Sequence, residues 1–337
     1  MPGPVYKFLY HKLAAEPRRW HPMLSVYYLT YACDFRCPYC SDGAQNPYYK
    51  LRSGILPADR VIALLRNVRA CCDHLVITGG EPLKHPEFAR IVDGLGEVRF
   101  RGLVLTTNGH DLEPHLEPVV RTFSQLVFSV DTLDRGKSDQ WHGVGPGSSD
   151  RIFATIDRAD RVRPSSCEIV ISAVVTPDNI ADLHEVYAWA RDRGFAFAAC
   201  PQLVGVKAHA ELVGNPAYKA LFDMLIAEKR AARRVFGTVP YLERMRDLSR
   251  FRCRPLTMLV VSPIGDVFYP CLERGSFAGN LLDTPDLHAL LEAGRREHGS
   301  LPTCDVQCHS ACALGFATVL DKPWAVAQEA WLSLRAT

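Results

Sequence analysis

Residues 25–40 read SVYYLTYACDFRCPYC. The first seven positions are dominated by β-branched and aromatic side chains, which fit a strand over 25–31. The strand runs straight into a loop carrying Cys33, Cys37 and Cys40, spaced by three and then two residues. In parallel α/β folds, loops at the carboxyl ends of strands are where chemistry gathers.

Further along, the same alternation repeats. Strand signals fall at 74–78, 103–106, 126–129, 168–174 and 195–199, and helix signals at 57–70, 87–95, 113–121, 150–162 and 179–193. The helix over 57–70 carries Val61, Leu64, Leu65 and Val68 at three- and four-residue spacing; Ile152, Phe153, Ile156 and Ala159 repeat the pattern. Strand–helix alternation predicts an α/β fold, a parallel sheet with helices outside it. Six such units are too few for a closed eight-stranded barrel and fit either a partial barrel or an open doubly wound sheet. Polar and glycine residues cluster after the strands: Gly79-Gly80-Glu81-Pro82, Thr107-Asn108-Gly109, Ser129-Val130-Asp131, Thr176–Asn179 and Cys200-Pro201-Gln202. That agreement predicts one shared site.

The 337 residues carry 39 basic against 37 acidic side chains, a net charge of +2. That balance argues against a nucleic-acid partner. No apolar run approaches the ~18 residues of a membrane span, and the N-terminus lacks the apolar core of a secretory signal. A cytoplasmic location is expected. Twelve cysteines in such a chain point to metal binding before disulfides.

Three thiolates as close as Cys33, Cys37 and Cys40 can share one inorganic centre. A closed zinc site needs a fourth ligand, for which His21 and His74 are candidates. A 4Fe–4S cluster on three cysteines leaves one iron open. Spacing alone leaves both readings standing.

The motif resembles the cluster loop of radical S-adenosylmethionine (SAM) enzymes, with Tyr39 as the aromatic before the last cysteine. The resemblance continues in order through Gly79-Gly80-Glu81-Pro82, Thr107-Asn108-Gly109 and Ser129-Val130-Asp131. It implies a partial (β/α)6 TIM-type barrel with a 4Fe–4S cluster on Cys33, Cys37 and Cys40, whose open iron holds SAM. One electron would cleave SAM to a 5′-deoxyadenosyl radical, so an electron donor such as flavodoxin or ferredoxin is implied. Gly79, Gly80 and Glu81 would meet the SAM amino group, the glycines by letting backbone approach the ligand. Ser129 would reach the carboxylate or ribose, with Thr107 assisting, and Asp131 would meet SAM or substrate.

Beyond 202 the character changes. A helix is expected over 216–235, and short strand signals at 258–261 and 267–269 flank the turn Pro263-Ile264-Gly265-Asp266. Cys253 and Cys271 bracket this hairpin, with Cys304, Cys308 and Cys312 following. The region resembles the auxiliary-cluster domains of the SPASM and twitch subfamilies. Five cysteines are too few for two clusters, so one auxiliary 4Fe–4S cluster is implied, on Cys253, Cys271 and Cys312 with Cys308 ahead of Cys304. The alternative is a zinc ribbon stapling a small domain with a scant core. The expected division is an extension over 1–21, the barrel over 22–235, the small cysteine-rich domain over 236–320 and a helix or tail over 321–337. Cys71, Cys72 and Cys167 are expected to be small buried hydrophobes.

The expected substrate is small and polar, of sugar, cyclitol or nucleoside type, in specialised metabolism such as antibiotic biosynthesis. Only 32 residues precede Cys33, too few for a leader-binding module of the kind peptide-modifying relatives carry. Dehydrogenation, epimerisation, elimination and decarboxylation all remain open outcomes. Peptide modification is the alternative, and a non-enzymatic iron–sulfur or zinc protein the remote one. Candidate catalytic groups are Cys200 as a hydrogen-atom donor, Glu273 as a base, and His142 beside Trp141 in the loop after the fourth strand.

Overall fold

A computed structural model describes residues 2–14, 17–42, 44–300 and 308–335. All six expected strands form: β1 (Leu24–Thr30), β2 (His74–Gly79), β3 (Gly102–Thr107), β4 (Gln125–Ser129), β5 (Glu168–Val175) and β6 (Ala196–Pro201). They pair in parallel and in chain order. A ribbon of β7 (Leu203–Val204) and β8 (Lys207–Ala208) follows.

Helices connect and cover the strands. The N-terminal α1 (Pro4–Leu13) leads into α2 (Ala58–Cys71), α3 (Phe88–Val98), α4 (Leu116–Thr122), α5 (Arg135–His142), α6 (Ser148–Val162) and α7 (Asp182–Asp192). Val61, Leu64, Leu65 and Val68 of α2 and Ile156 of α6 are wholly buried, as their spacing requires. The result is an α/β partial barrel.

Before β6, two helices fall where none was expected. Residues 4–13 form α1 inside the expected extension, with Lys7 buried and donating to the carbonyls of Pro22 and Cys71. The loop after β4 contains α5, started by the Asp134 carboxylate accepting from Lys137 N and stopped by Gly143 at φ 68. Its polar composition hides it from apolar periodicity.

The C-terminal part departs most from expectation. After α8 (Pro216–Arg230) and α9 (Val239–Asp247) come β9 (Met258–Val261), β10 (Asp266–Tyr269) and β11 (Ser276–Asn280). The hairpin does not stand apart. β9 pairs in parallel with β1, Val26 opposite Val260, and β10 and β11 extend the same sheet antiparallel. Leu259, Val261 and Tyr269 share one apolar core with Tyr27 and Leu29 of β1. The segment therefore borrows the barrel's core and needs none of its own. Then follow α10 (Leu287–His298), α11 (Ala311–Asp321) and α12 (Trp324–Arg335).

Candidate functional site

The cysteine loop leaves the end of β1 and is held from three sides. Gly80 N donates to Thr30 O at 2.8 Å, and Glu81 N donates to Ala32 O at 2.8 Å. The Arg36 guanidinium reaches back to the carbonyls of Cys33, Asp34 and Phe35 at 2.8, 3.0 and 2.9 Å. Below the loop, the buried Phe35 ring stacks on His142 at 4.0 Å, and Arg36 N donates to His142 O at 2.8 Å.

The glycine pair admits the backbone of the cysteine loop at close range. A Cβ on Gly79 would lie 2.2 Å from Thr30 O, and one on Gly80 2.4 Å from Tyr31 O. What fills the missing Cβ space is the backbone of the cysteine loop's own entry.

Glu81 is buried, and its carboxylate accepts from Thr107 Oγ1 at 2.8 Å, Asn108 N at 2.7 Å and Leu83 N at 3.2 Å. Burial pushes its pKa up to about 7, against the pull of those three bonds. Asp131 is held as firmly. Tyr39 donates its hydroxyl to Oδ2, and Val174 N donates to Oδ1 at 2.6 Å. Burial raises Asp131 to about 6, opposed by both bonds. Ser129, at the end of β4, is exposed and its hydroxyl has no hydrogen-bond partner among the described residues. It lines a recess with Asp131, Trp141 and Phe153. Trp141 meets the Tyr39 ring edge-on at 5.7 Å.

Burial also raises the thiols, Cys33 to about 12 and Cys40 to about 11, and Cys37 upward as well. Thiols so placed keep their protons unless a metal displaces them. The sulfurs of Cys33, Cys37 and Cys40 do not all lie within 4.8 Å of one another. Tetrahedral zinc, with Zn–S about 2.3 Å, would draw its thiolates closer than that. Asp34, His110 and Asp111 do converge that tightly. Lys84 Nζ already sits there, 3.0 Å from Asp34 and 2.5 Å from Asp111, and Arg151 adds a second cation at 3.0 Å. That knot of charge ties the cysteine loop to the β2 and β3 ends; it has no need of a metal.

Across the mouth lie the C-terminal cysteines. Burial raises Cys271, with the charges of Glu273 and Cys253 adding to the effect. Cys312 is pushed up to about 11 by burial and by Glu273. Cys200, opposite Val174 in the β5–β6 register, rises to about 12 through burial, with Asp131 and Cys312 contributing. Glu273 also acts on Tyr28 and Tyr48, on the cysteine-loop side. The charges of Asp131 and Cys312 thus reach Cys200, and that of Glu273 reaches both Cys271 and Cys312. His142 stacks on Phe35 of the cysteine loop and lines the same recess as Ser129 and Asp131, its Nδ1 buried without a hydrogen-bond partner. Cys308 Sγ accepts from Ser310 N at 3.2 Å; Cys304 lies outside the described residues. Cys167 is buried in the apolar core and Cys72 is buried with its thiol on His74 O, while Cys71 is half-buried. Arg36, Lys84 and Asn108 escaped the sequence reading as holders of the loop. For Lys84 and Asp34 the only signal was two opposite charges beside two motifs.

A partial barrel with three thiols on its first strand-end loop, backed by buried carboxylates on neighbouring strands, is the layout of a cluster- and cofactor-binding protein. Residues 27–190 match the family model of the Radical SAM superfamily. Members of this enzyme superfamily bind a 4Fe–4S cluster and SAM. A GTP 3′,8-cyclase of Rhizobium leguminosarum bv. trifolii is 31% identical over 192 residues, covering 52% of each chain. Another, from Microcystis aeruginosa, is 29% identical over 45% of this chain and 48% of that one. The chain thus spans about half the length of the curated relatives it matches. Among solved structures, Streptococcus suis SuiB bound to SAM aligns with TM-score 0.62 at 18% identity, over 80% of this chain and 65% of that one. The structure of anSMEcpe with bound SAM aligns with TM-score 0.59 at 19% identity, over 94% of this chain and 99% of that one. That likeness is one of fold.

The residues present fit the cofactors. Cys33, Cys37 and Cys40 would hold the cluster, and the exposed Ser129 hydroxyl would be open to the SAM ribose or carboxylate. A carboxylate offers about four acceptor positions. Three internal bonds therefore leave Glu81 room for one ammonium donor, which would also keep it ionised.

Proposed function

We propose that this chain reductively cleaves SAM and takes a hydrogen atom from a small polar substrate. The observation that carries the reading is the rigid three-thiol loop facing Glu81, Thr107, Ser129 and Asp131 across adjacent parallel strands. The bound cofactors supply the 5′-deoxyadenosyl radical; the protein orients them and keeps water out. Tyr39 and Asp131 lock the loop's outer half to β5. Glu81 holds Thr107 and Asn108 while presenting its remaining acceptor site.

The small-substrate reading draws support from relatives named for a nucleotide. Cys253, Cys271, Cys308 and Cys312 would carry a second 4Fe–4S cluster on the far side of the mouth, with Cys304 the alternative fourth ligand. Glu273 and Cys200 are then placed to exchange a proton or a hydrogen atom with a substrate held between the two groups. Peptide modification is the second reading, since fold neighbours were crystallised with peptides.

Anaerobically reconstituted protein, reduced with titanium(III) citrate and given SAM, should release 5′-deoxyadenosine, and alanine at Cys33, Cys37 and Cys40 should abolish it. Iron-loaded protein that releases none would overturn the reading. Deuterated candidate substrates then identify the donor by label transfer into 5′-deoxyadenosine, a peptide donor favouring the second reading.

A further inference from the structure

After Cys40 the chain folds back on itself. Ser41 bridges Pro47, and Asp42 N donates to Asn46 O at 2.9 Å, leading into a short turn over Tyr48–Lys50. Tyr48 faces inward, stacked on Tyr28 at 5.9 Å and feeling the charge of Cys40. Tyr49 carries two cations against its ring, Arg36 at 4.5 Å and Lys50 at 5.7 Å. Lys50, Arg52 and Arg36 are exposed and form no ion pair among the described residues. Asp42 is the sole acidic residue between 41 and 57, and its carboxylate is folded onto Ala44 and Asn46. Beside these cations lie two exposed apolar side chains, Ile55 at 42% and Ile264 at 37% exposure. They belong to one surface, since a Cβ on Gly54 would touch Ile264 at 3.3 Å.

Two exposed apolar side chains beside cations that form no ion pair, with Asp42 and Asp266 tied into local hydrogen bonds, have the anatomy of a transient, electrostatically steered interface. It lies beside the most accessible of the three motif cysteines, Cys40, with Cys33 and Cys37 more covered.

We propose that Lys50, Arg52 and Arg36, with Ile55 and Ile264, dock an acidic one-electron carrier protein with a flavin or iron–sulfur centre. The proposal rests on the reductive chemistry above and says where the electron enters. The reduced carrier is oxidised by one electron, and the Cys33–Cys40 site receives it. No atom is transferred.

The test uses reconstituted holoenzyme and flavodoxin as the probe. Lys50 and Arg52 hold nothing in the cofactor site, so the Lys50→Glu/Arg52→Glu variant removes rim charge alone. Oxidised flavodoxin, titrated at low ionic strength, should bind this variant about tenfold or more weakly, with a flatter salt dependence. Lys50→Gln/Arg52→Gln should fall between, and serves if charge reversal prevents folding. With reduced flavodoxin, 5′-deoxyadenosine release should fall in parallel, while release driven by titanium(III) citrate stays at the wild-type rate. Unchanged flavodoxin affinity and salt slope would overturn the proposal. Conversion of a dimer to a monomer by the same variant would also overturn it, assigning the patch to a second copy. Wild-type protein inactive with titanium(III) citrate would overturn the reaction instead, and the binding titration would still judge the docking surface.

Discussion

At residue scale, His142 shows how a motif neighbour can matter by packing. Its ring lies on Phe35, its carbonyl receives Arg36 N, and burial holds its imidazole down to about 4 from an ordinary 6.5. In the unfolded chain the ring titrates near the ordinary value. As pH falls from about 6.5 towards 4, the unfolded chain therefore binds a proton that the folded chain refuses, and stability is lost. Glu81 and Asp131 are raised and pull the opposite way, so the informative comparison is wild type against His142→Phe. That variant keeps the ring stack and removes an unpaired buried nitrogen. Its urea midpoint should fall less than that of wild type between pH 7.5 and 5; an equal fall would mean that His142 does not carry the acid sensitivity. The motif residues themselves, Cys33 to Cys40, Gly79 to Glu81 and Asp131, were legible from sequence. Why they are needed was less so. Gly80 lacks a side chain because Tyr31 O occupies the space, a contact between residues far apart in the chain that no local pattern records.

Among the elements, β9 decides how the molecule is divided. The hairpin itself was legible from its Pro263–Asp266 turn and flanking apolar runs. Its partner was not, because the pairing of β9 with β1 joins segments at opposite ends of the chain. Apolar strands buried on both faces look alike wherever they insert. A similar blindness hid α1, whose buried face carries Lys7 and His11 in place of an apolar stripe. Leu259 of β9 is wholly buried in the core that also holds Tyr27 and Leu29. Leu259→Ala should cost about 2–5 kcal/mol. Because the core is shared, the loss should move a single unfolding transition. It should do so equally by far-UV circular dichroism and by fluorescence of Trp20, whose indole donates to Met258 O at 3.1 Å. Two separate transitions, only one of them moved, would show that the C-terminal segment folds as its own unit.

For the whole molecule, the same shared core bears on what the C-terminal cysteines are for. A small cysteine-rich unit standing alone would need a metal staple, because it could bury too little apolar surface to offset its chain entropy. Here Leu259, Val261, Tyr269, Leu290 and Leu314 already lie in the barrel's core. A cluster on Cys253, Cys271 and Cys312 would therefore not be required to hold this segment in the sheet. Two clusters predict about eight iron and eight sulfide per chain. Replacing Cys271 with alanine should remove about half the iron while leaving SAM cleavage by titanium(III) citrate intact, since Cys33, Cys37 and Cys40 are untouched. The thermal midpoint should move little, because apolar packing and not the metal holds β9–β11 in the sheet. A collapse of the midpoint together with the iron would return these cysteines to the role of a staple. Unchanged iron would remove the second cluster altogether.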